Sequence, residues 1–356
     1  MANTKLETVL TQWQNLQPLA EIDRDRLSRR FTIDFNYNSN HIEGNTLTYG
    51  QTELLLLFGK IVGEANFRDC EEMKASNVGL QMMLVESSDK QLPLTQNFIR
   101  TLHRTLLRED YTVYRMLPGG VQTSYVIHAG QYKTRPNSVI TRYGDQFEYA
   151  SPEETPALMA DLVDWYNHAE QEGKLSPIDL AILFHYRYIR IHPFEDGNGR
   201  IARLMVNYIL SRHGYPMIVV RSRLKQDYLE ALHRADLIVG STPADGAHAS
   251  LKDIRPFHKY MVNLICHEIE NDVLFVTEKS QDVWWYDGER IAFRTPSYGR
   301  ILRELRREPK ATLAYLQEEI GINRSALQKL LQTLLDKHYV ERDADGSWRV
   351  FITPSM

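Results

Sequence analysis

Apolar residues spaced three and four apart run through most of this chain and predict a mainly α protein. Leu6, Val9, Leu10 and Trp13 start the pattern; Ile22, Leu27 and Phe31 continue it less regularly. Further helices are predicted through 53–60, through 66–86 on Val78, Met82 and Val85, and through 94–107. Ser151-Pro152-Glu153-Glu154 and Ser176-Pro177-Ile178-Asp179 read as helix starts, each with a serine cap, a first-turn proline and an acid three positions on. The second of these helices carries His185, Tyr186 and Tyr188 as packing residues and leads into His192. Ile201, Leu204, Met205, Tyr208 and Ile209 stripe the next helix, which stops near Gly214-Tyr215-Pro216. Segments 224–237 and 254–276 add two more.

Two regions break the period. In 118–141, Gly119-Gly120 and Ala129-Gly130 flank a stretch rich in β-branched and aromatic residues, which predicts a β-hairpin. Beyond about residue 290, three short helical stripes follow: Ile301 to Leu305, Leu313 to Ile320 and Leu327 to Leu335. Two strands, 339–342 and 348–351, then flank Asp345-Gly346. Three helices and a small wing read as a winged helix. Residues 297–352 hold ten Lys/Arg and eight Asp/Glu, and the recognition-helix candidate offers only Arg324 and Lys329. DNA binding by this tail is thus weakly supported, and a protein-contact or dimer-packing role is favoured.

Composition narrows the class without naming a reaction. The chain has 356 residues, enough for more than one domain, with 43% apolar and 25% charged residues and a net charge of −4. No basic bias advertises nucleic acid or an anionic membrane. The longest apolar run, 54–58, is far short of the roughly 20 residues that span a bilayer. No signal peptide is visible, and Cys70 and Cys266 make neither a disulfide framework nor a zinc cluster, so a cytoplasmic protein is expected.

The chemistry concentrates in Ile191-His192-Pro193-Phe194-Glu195-Asp196-Gly197-Asn198-Gly199-Arg200-Ile201-Ala202-Arg203. Glycines on both sides of Asn198 allow successive N–H groups to face one concavity, and a helix N-terminus follows at once. Arg200 and Arg203, three apart, can flank an anion there. Asp196 is a hard oxygen ligand suited to phosphate-bridging Mg²⁺. His192 can act as a general base near neutral pH.

This string resembles, at every defined position, the signature loop of the Fic family, His-x-Phe-x-Asp/Glu-Gly-Asn-Gly-Arg-x-x-Arg. The resemblance implies a Fic-type helical core with a β-hairpin flap and a C-terminal winged-helix domain. It implies transfer of AMP from ATP to a Tyr, Thr or Ser hydroxyl of a target protein, this chain itself included. By position, His192 matches the base and Asp196 the Mg²⁺ ligand. Gly197, Asn198, Gly199 and Arg200 match the phosphate cradle, and Arg203 the γ-phosphate arginine. Phe194 is expected to be a core plug. Tyr228 stands where the family often has an adenine wall, although a core aromatic fits it equally, and Asn207 is a weaker candidate for nucleotide contact. Gly130, Gln131, Tyr132, Lys133 and Thr134, within a flap set at 119–141, are expected to dock the target by strand-like main-chain contacts.

Ser39-Asn40-His41-Ile42-Glu43-Gly44-Asn45 reads alone as a short surface helix with a C-terminal stop, Ser39 and Glu43 sharing a face. Beside the loop it resembles the family's inhibitory motif, in the subclass whose inhibitory helix is N-terminal. The resemblance implies that Glu43 pairs with Arg203 and denies it to ATP. Expected domains are 1–110, carrying the inhibitory motif; 111–280, the catalytic core; and 290–356, the winged helix. A homo-oligomer is expected and a membrane is not. The other readings are a nucleotide-sensing regulator acting through its tail on DNA or protein, a bifunctional enzyme that also removes AMP, and transfer of a group other than AMP.

Overall fold

The computed structural model describes residues 2–61, 63–116, 122–140, 146–293, 295–308 and 310–354. Five helices open the chain: α1 (Ala2–Asn15), α2 (Glu21–Ile42), α3 (Tyr49–Phe58), α4 (Phe67–Ser88) and α5 (Gln96–Leu107). Two antiparallel hairpins follow, β1 (Tyr111–Met116) with β2 (Gln122–Ile127), then β3 (Ser138–Ile140) with β4 (Gln146–Glu148). Six helices complete the main body: α6 (Thr155–Glu172), α7 (Pro177–Ile191), α8 (Asn198–Arg212), α9 (Lys225–Val239), α10 (Pro243–Ala247) and α11 (Arg255–Thr277). The single expected hairpin region is therefore two hairpins. Residues 119–121 and 141 of the expected flap lie outside the described residues.

Local signals set the helix starts. The Ser176 hydroxyl accepts the Asp179 N–H at 3.0 Å. Ahead of α6, Ser151 and Glu154 satisfy each other's backbone N–H groups through their side chains, at 3.2 and 2.9 Å. α7 and α8 form the centre of the body and are buried along most of their length, which requires apolar residues on more than one face. The core built on them takes Val9, Phe31, Leu80 and Leu102 from the first 110 residues and Phe184, Ile201 and Phe257 from the next stretch, so those two expected units share one interior.

The tail has its own core, on Trp284, Ile301, Leu305, Leu316, Leu331 and Trp348. It contains α12 (Pro296–Arg307), α13 (Leu313–Ile320), α14 (Arg324–Asp336) and the wing β7 (Val340–Arg342) with β8 (Trp348–Val350). A further hairpin, β5 (Val283–Tyr286) with β6 (Glu289–Ala292), joins it, and β5 also pairs with β9 (Thr353–Pro354). The sequence reading missed this hairpin, although its Asp287-Gly288 turn, with φ of 45° and 72°, has the two positive dihedrals that Asp-Gly pairs favour.

The β5–β6 turn reaches back into the main body. Asp287 accepts from Asn38 of α2 at 2.6 Å and from Arg221 at 3.2 Å. The buried Arg221 also pairs with Asp34 of α2 at 2.8 Å and Glu268 of α11 at 2.6 Å. Burial works against the Arg221 charge, but the Glu268, Asp34 and Asp287 carboxylates hold it firmly protonated. Removing one partner from such a network exposes the desolvation of the rest.

Candidate active site

Residues 192–197 join α7 to α8. His192 closes α7 in the left-handed region, φ 52°, its N–H still bonded to the Tyr188 carbonyl at 2.9 Å. Gly197, φ 76°, opens α8. Between them the Phe194 ring is fully buried and stacks on His103 of α5, with centroids 3.7 Å apart and planes 3° from parallel. Truncating a plug of this kind costs about 3–5 kcal/mol. The Asn198 amide clasps the Phe194 main chain from both sides, donating to its carbonyl at 2.7 Å and accepting its N–H at 3.0 Å. The Asn198 side chain is thus committed within the loop. What it offers an anion is its backbone N–H.

The first N–H groups of α8 have no intrahelical acceptor. The first such bond is that of Ile201 to the Gly197 carbonyl, at 3.1 Å. These donors and the helix dipole make the anion cradle. Gly199 leaves room for the Glu43–Arg203 pair, since a Cβ there would overlap the Glu43 carboxylate and displace it.

Asp196 stands at the cradle's edge with its side chain 40% exposed. One carboxylate oxygen accepts the Gly197 N–H at 2.6 Å; the other accepts the Tyr111 hydroxyl at 2.5 Å and lies 3.6 Å from Arg200. Burial opposes ionisation, but Arg200, the Tyr111 hydroxyl and the Gly197 N–H hold the carboxyl below its ordinary range. Each oxygen keeps a lone pair for a cation. No cluster of three or more His, Cys, Asp or Glu able to hold a metal occurs among the described residues. One ionised carboxylate next to a phosphate cradle fits Mg²⁺, which keeps several waters and takes further oxygens from phosphates.

The His192 ring stacks beneath Tyr149, with centroids 3.9 Å apart and planes at 14°. Burial and the Lys133 ammonium push the imidazole down to about 3, so it is neutral at physiological pH. Lys133 is itself buried, donating to the Asn137 side chain at 2.8 Å and the Ile191 carbonyl at 3.1 Å. Burial lowers its ammonium to about 8.

Arg203, one turn into α8, is 3% exposed. Its guanidinium donates to the Ser39 hydroxyl at 3.0 Å, the Ser39 carbonyl at 2.8 Å and Glu43 at 2.6 Å. Burial opposes the Glu43 charge, but Arg203 and Arg200 hold its carboxyl below the usual range. Ser39 is buried inside α2, a helix of 22 residues, and Glu43 caps that helix; the bland reading as a short surface helix does not hold.

Gly130 to Thr134 forms no strand, and its polar groups hold the loop from below. The Gly130 N–H donates to His103, the Lys133 N–H to the Pro193 carbonyl and the Tyr132 hydroxyl to Gln96, at 2.8, 2.9 and 2.8 Å. The Thr134 hydroxyl reaches Glu195 at 3.1 Å, while Gln131 is exposed, its N–H turned back to the His128 carbonyl. Tyr228 is 2% exposed, its hydroxyl 2.8 Å from His185 and interacting with Arg203. Asn207 is fully buried and bonds both main-chain groups of Ile218 at 2.9 and 2.7 Å.

The sequence reading missed His103, Tyr111 and Tyr149, and placed Asn137 only within the flap. His103 had one visible signal, an imidazole on the otherwise apolar stripe of Ile99, Leu102 and Leu106. Nothing in the pattern tied it to Asp196, 93 positions away.

Comparison with known proteins fits this geometry. The model described as the Fic/DOC family matches residues 93–210, and a MarR family model matches 294–347. A Fic-domain-containing signaling protein from Bacteroides thetaiotaomicron superposes with a TM-score of 0.72 at 52% identity, covering 78% of this chain and 98% of that one. Fic-1 from Caenorhabditis elegans gives a TM-score of 0.59 at 25% identity, over 76% and 72% of the two chains. Protein adenylyltransferase fic-1 of Caenorhabditis briggsae is 28% identical over 236 residues, covering 66% of this chain and 40% of that protein. The chain thus spans about two-fifths of the length of the first such curated relatives. No helix among the described residues is long and apolar enough to cross a membrane.

Proposed function

The chain belongs to the Fic/DOC family, and from that premise we propose that it is a protein adenylyltransferase held in check by its own α2. The carrying observation is that one short loop presents His192, Asp196 and the α8 N-terminus together, while Glu43 occupies Arg203. In the reaction, a hydroxyl oxygen of the target attacks the α-phosphorus of ATP. The bond to the bridging oxygen breaks, pyrophosphate leaves, and the hydroxyl proton passes to neutral His192. Bound triphosphate adds negative charge beside the imidazole and raises its proton affinity towards the range of an effective base.

The N–H groups of Asn198, Gly199 and Arg200 orient the phosphates, and the Arg200 guanidinium offsets charge as pyrophosphate departs. Asp196 would hold Mg²⁺, which would supply positive charge to offset that of the phosphates. The target segment lies against β3–β4, because β4 leads directly into Tyr149, the residue stacked on His192. Arg203 is the natural γ-phosphate ligand, and it cannot serve that phosphate and Glu43 fully at once.

The test is labelling with tagged ATP and Mg²⁺ in cell lysate, using the native chain and Glu43→Gly, with labelled proteins identified by mass spectrometry. The reading predicts faint labelling by the native chain and strong labelling by the variant. No labelling by either would overturn the transferase, and equal labelling would overturn the inhibition.

A further inference from the structure

The structure holds a fully buried histidine whose hydrogen bonds fix both of its nitrogens. The Gly130 N–H donates to His103 Nδ1 at 2.8 Å, so Nδ1 carries a lone pair and no proton. The proton is therefore on Nε2, which lies 3.0 Å from the Asp196 carbonyl and donates to it. The ring also stacks on Phe194, and a Cβ on Gly197 would touch it at 3.5 Å. One side chain thus meets the loop at Phe194 and at Asp196.

We propose that His103 is a positioning residue for Asp196, fixing the peptide that carries the carboxylate and so setting where the metal–triphosphate complex sits. This rests on the adenylyltransferase reading above. Three observations separate the role from mere core packing. An apolar ring would fill the same space and keep the stack, yet the site holds an imidazole with a bonded acceptor and a bonded donor. The donor goes to the Asp196 carbonyl itself. The acceptor's partner, Gly130, is pinned independently, since its carbonyl takes the Arg100 guanidinium at 2.8 Å. The bridge from α5 to the loop is therefore anchored at both ends. The carboxylate is braced a second time by Tyr111, so His103 sets the main chain and Tyr111 the side chain.

Removing a group that orients a metal ligand typically costs about 10–100-fold in metal affinity or activity. The expected signature is split. His103→Phe keeps the stack and loses both hydrogen bonds. It should raise the Mg²⁺ concentration for half-maximal ATP use about tenfold and lower kcat by a similar factor. KM for ATP at saturating Mg²⁺ should stay within about twofold, because Arg200 and the α8 N-terminus are untouched. His103→Gln carries an acceptor and a donor on one amide and should recover most of the loss.

The experiment uses the full chain in the Glu43→Gly background. It reads AMP transfer and, separately, binding of a fluorescent ATP analogue across a Mg²⁺ titration. Nitrogen NMR of the native protein, labelled at histidine, reads the tautomer directly. A Mg²⁺ requirement unchanged in His103→Phe, a His103→Gln as impaired as His103→Phe with both melting like the parent, or an Nδ1–H tautomer would each overturn the proposal. If the parent transfers no AMP, the adenylyltransferase reading fails, while the Mg²⁺ dependence of analogue binding and the tautomer still decide the role of His103.

Discussion

From His192 to Gly197 the catalytic loop is gripped on all sides. Asn198 clasps the Phe194 main chain, Lys133 and Asn137 hold its carbonyls, and His103 and Tyr111 hold Asp196. The Glu43 end of α2 is held differently. Ser39 is buried, but the Glu43 side chain is 39% exposed and bonds Arg203 through a single oxygen. The supports of α2 come from far along the chain: Lys225 donates to the Ile42 carbonyl at 2.5 Å, and Asp287 accepts from Asn38. The groups proposed to react are therefore held from several sides, while Glu43, the proposed block, sits at the end of a helix on one bond. A transferase with a releasable block would use this asymmetry, because positioning must survive each turnover and inhibition must not.

The largest break in the comparison is removal of the base. In the Glu43→Gly background, His192→Ala should lower AMP transfer by about 10²–10⁴-fold while ATP analogue binding persists, as followed by labelling and by fluorescence titration. Glu43→Gly alone should raise labelling about tenfold or more, the order of one charge-assisted hydrogen bond at a half-exposed site. A larger gain from Ser39→Ala than from Glu43→Gly would place the block in the serine instead.

Acid sharpens the rigid side. His103 and His185 are fully buried and pushed down to about 4 and about 3. Below an unfolded value near 6.5 the unfolded chain binds protons that the folded chain refuses, so stability is full above that pH and falls as pH drops. Each histidine contributes about 1.4 kcal/mol per pH unit between 6.5 and its folded value. His192, likewise pushed down to about 3, adds a third such term, so denaturant titrations at pH 7.5 and 5.5 should show the combined loss and His103→Gln should remove about a third of it.

The smallest effect concerns the distant supports. Asp287→Ala leaves the loop untouched but frees Asn38 and Arg221 from the β5–β6 turn, and labelling should rise a few-fold. A variant that labels like the native chain would show that α2 holds Glu43 in place without the tail.

The sequence by itself determined the helical period, the serine-capped start of α7, the Ser151–Glu154 turn ahead of α6, and the wing. It also determined the groups that meet at the loop, because they lie within a dozen residues and a turn followed by a helix N-terminus fixes their mutual placement. It paired Ser39 with Glu43 for the same reason, since four residues make one helical turn. By family resemblance it set Gly130 to Thr134 in a docking flap, and local pattern could not show that several of their main-chain groups already have partners. It left Tyr228 open between pocket and core, because an aromatic at helical spacing serves either. His103 beneath Asp196, Tyr149 on His192 and Asp287 on Asn38 were decided only by the tertiary structure. Each joins residues from separate elements, and such contacts follow from how helices and hairpins settle against a shared core, which no local spacing encodes.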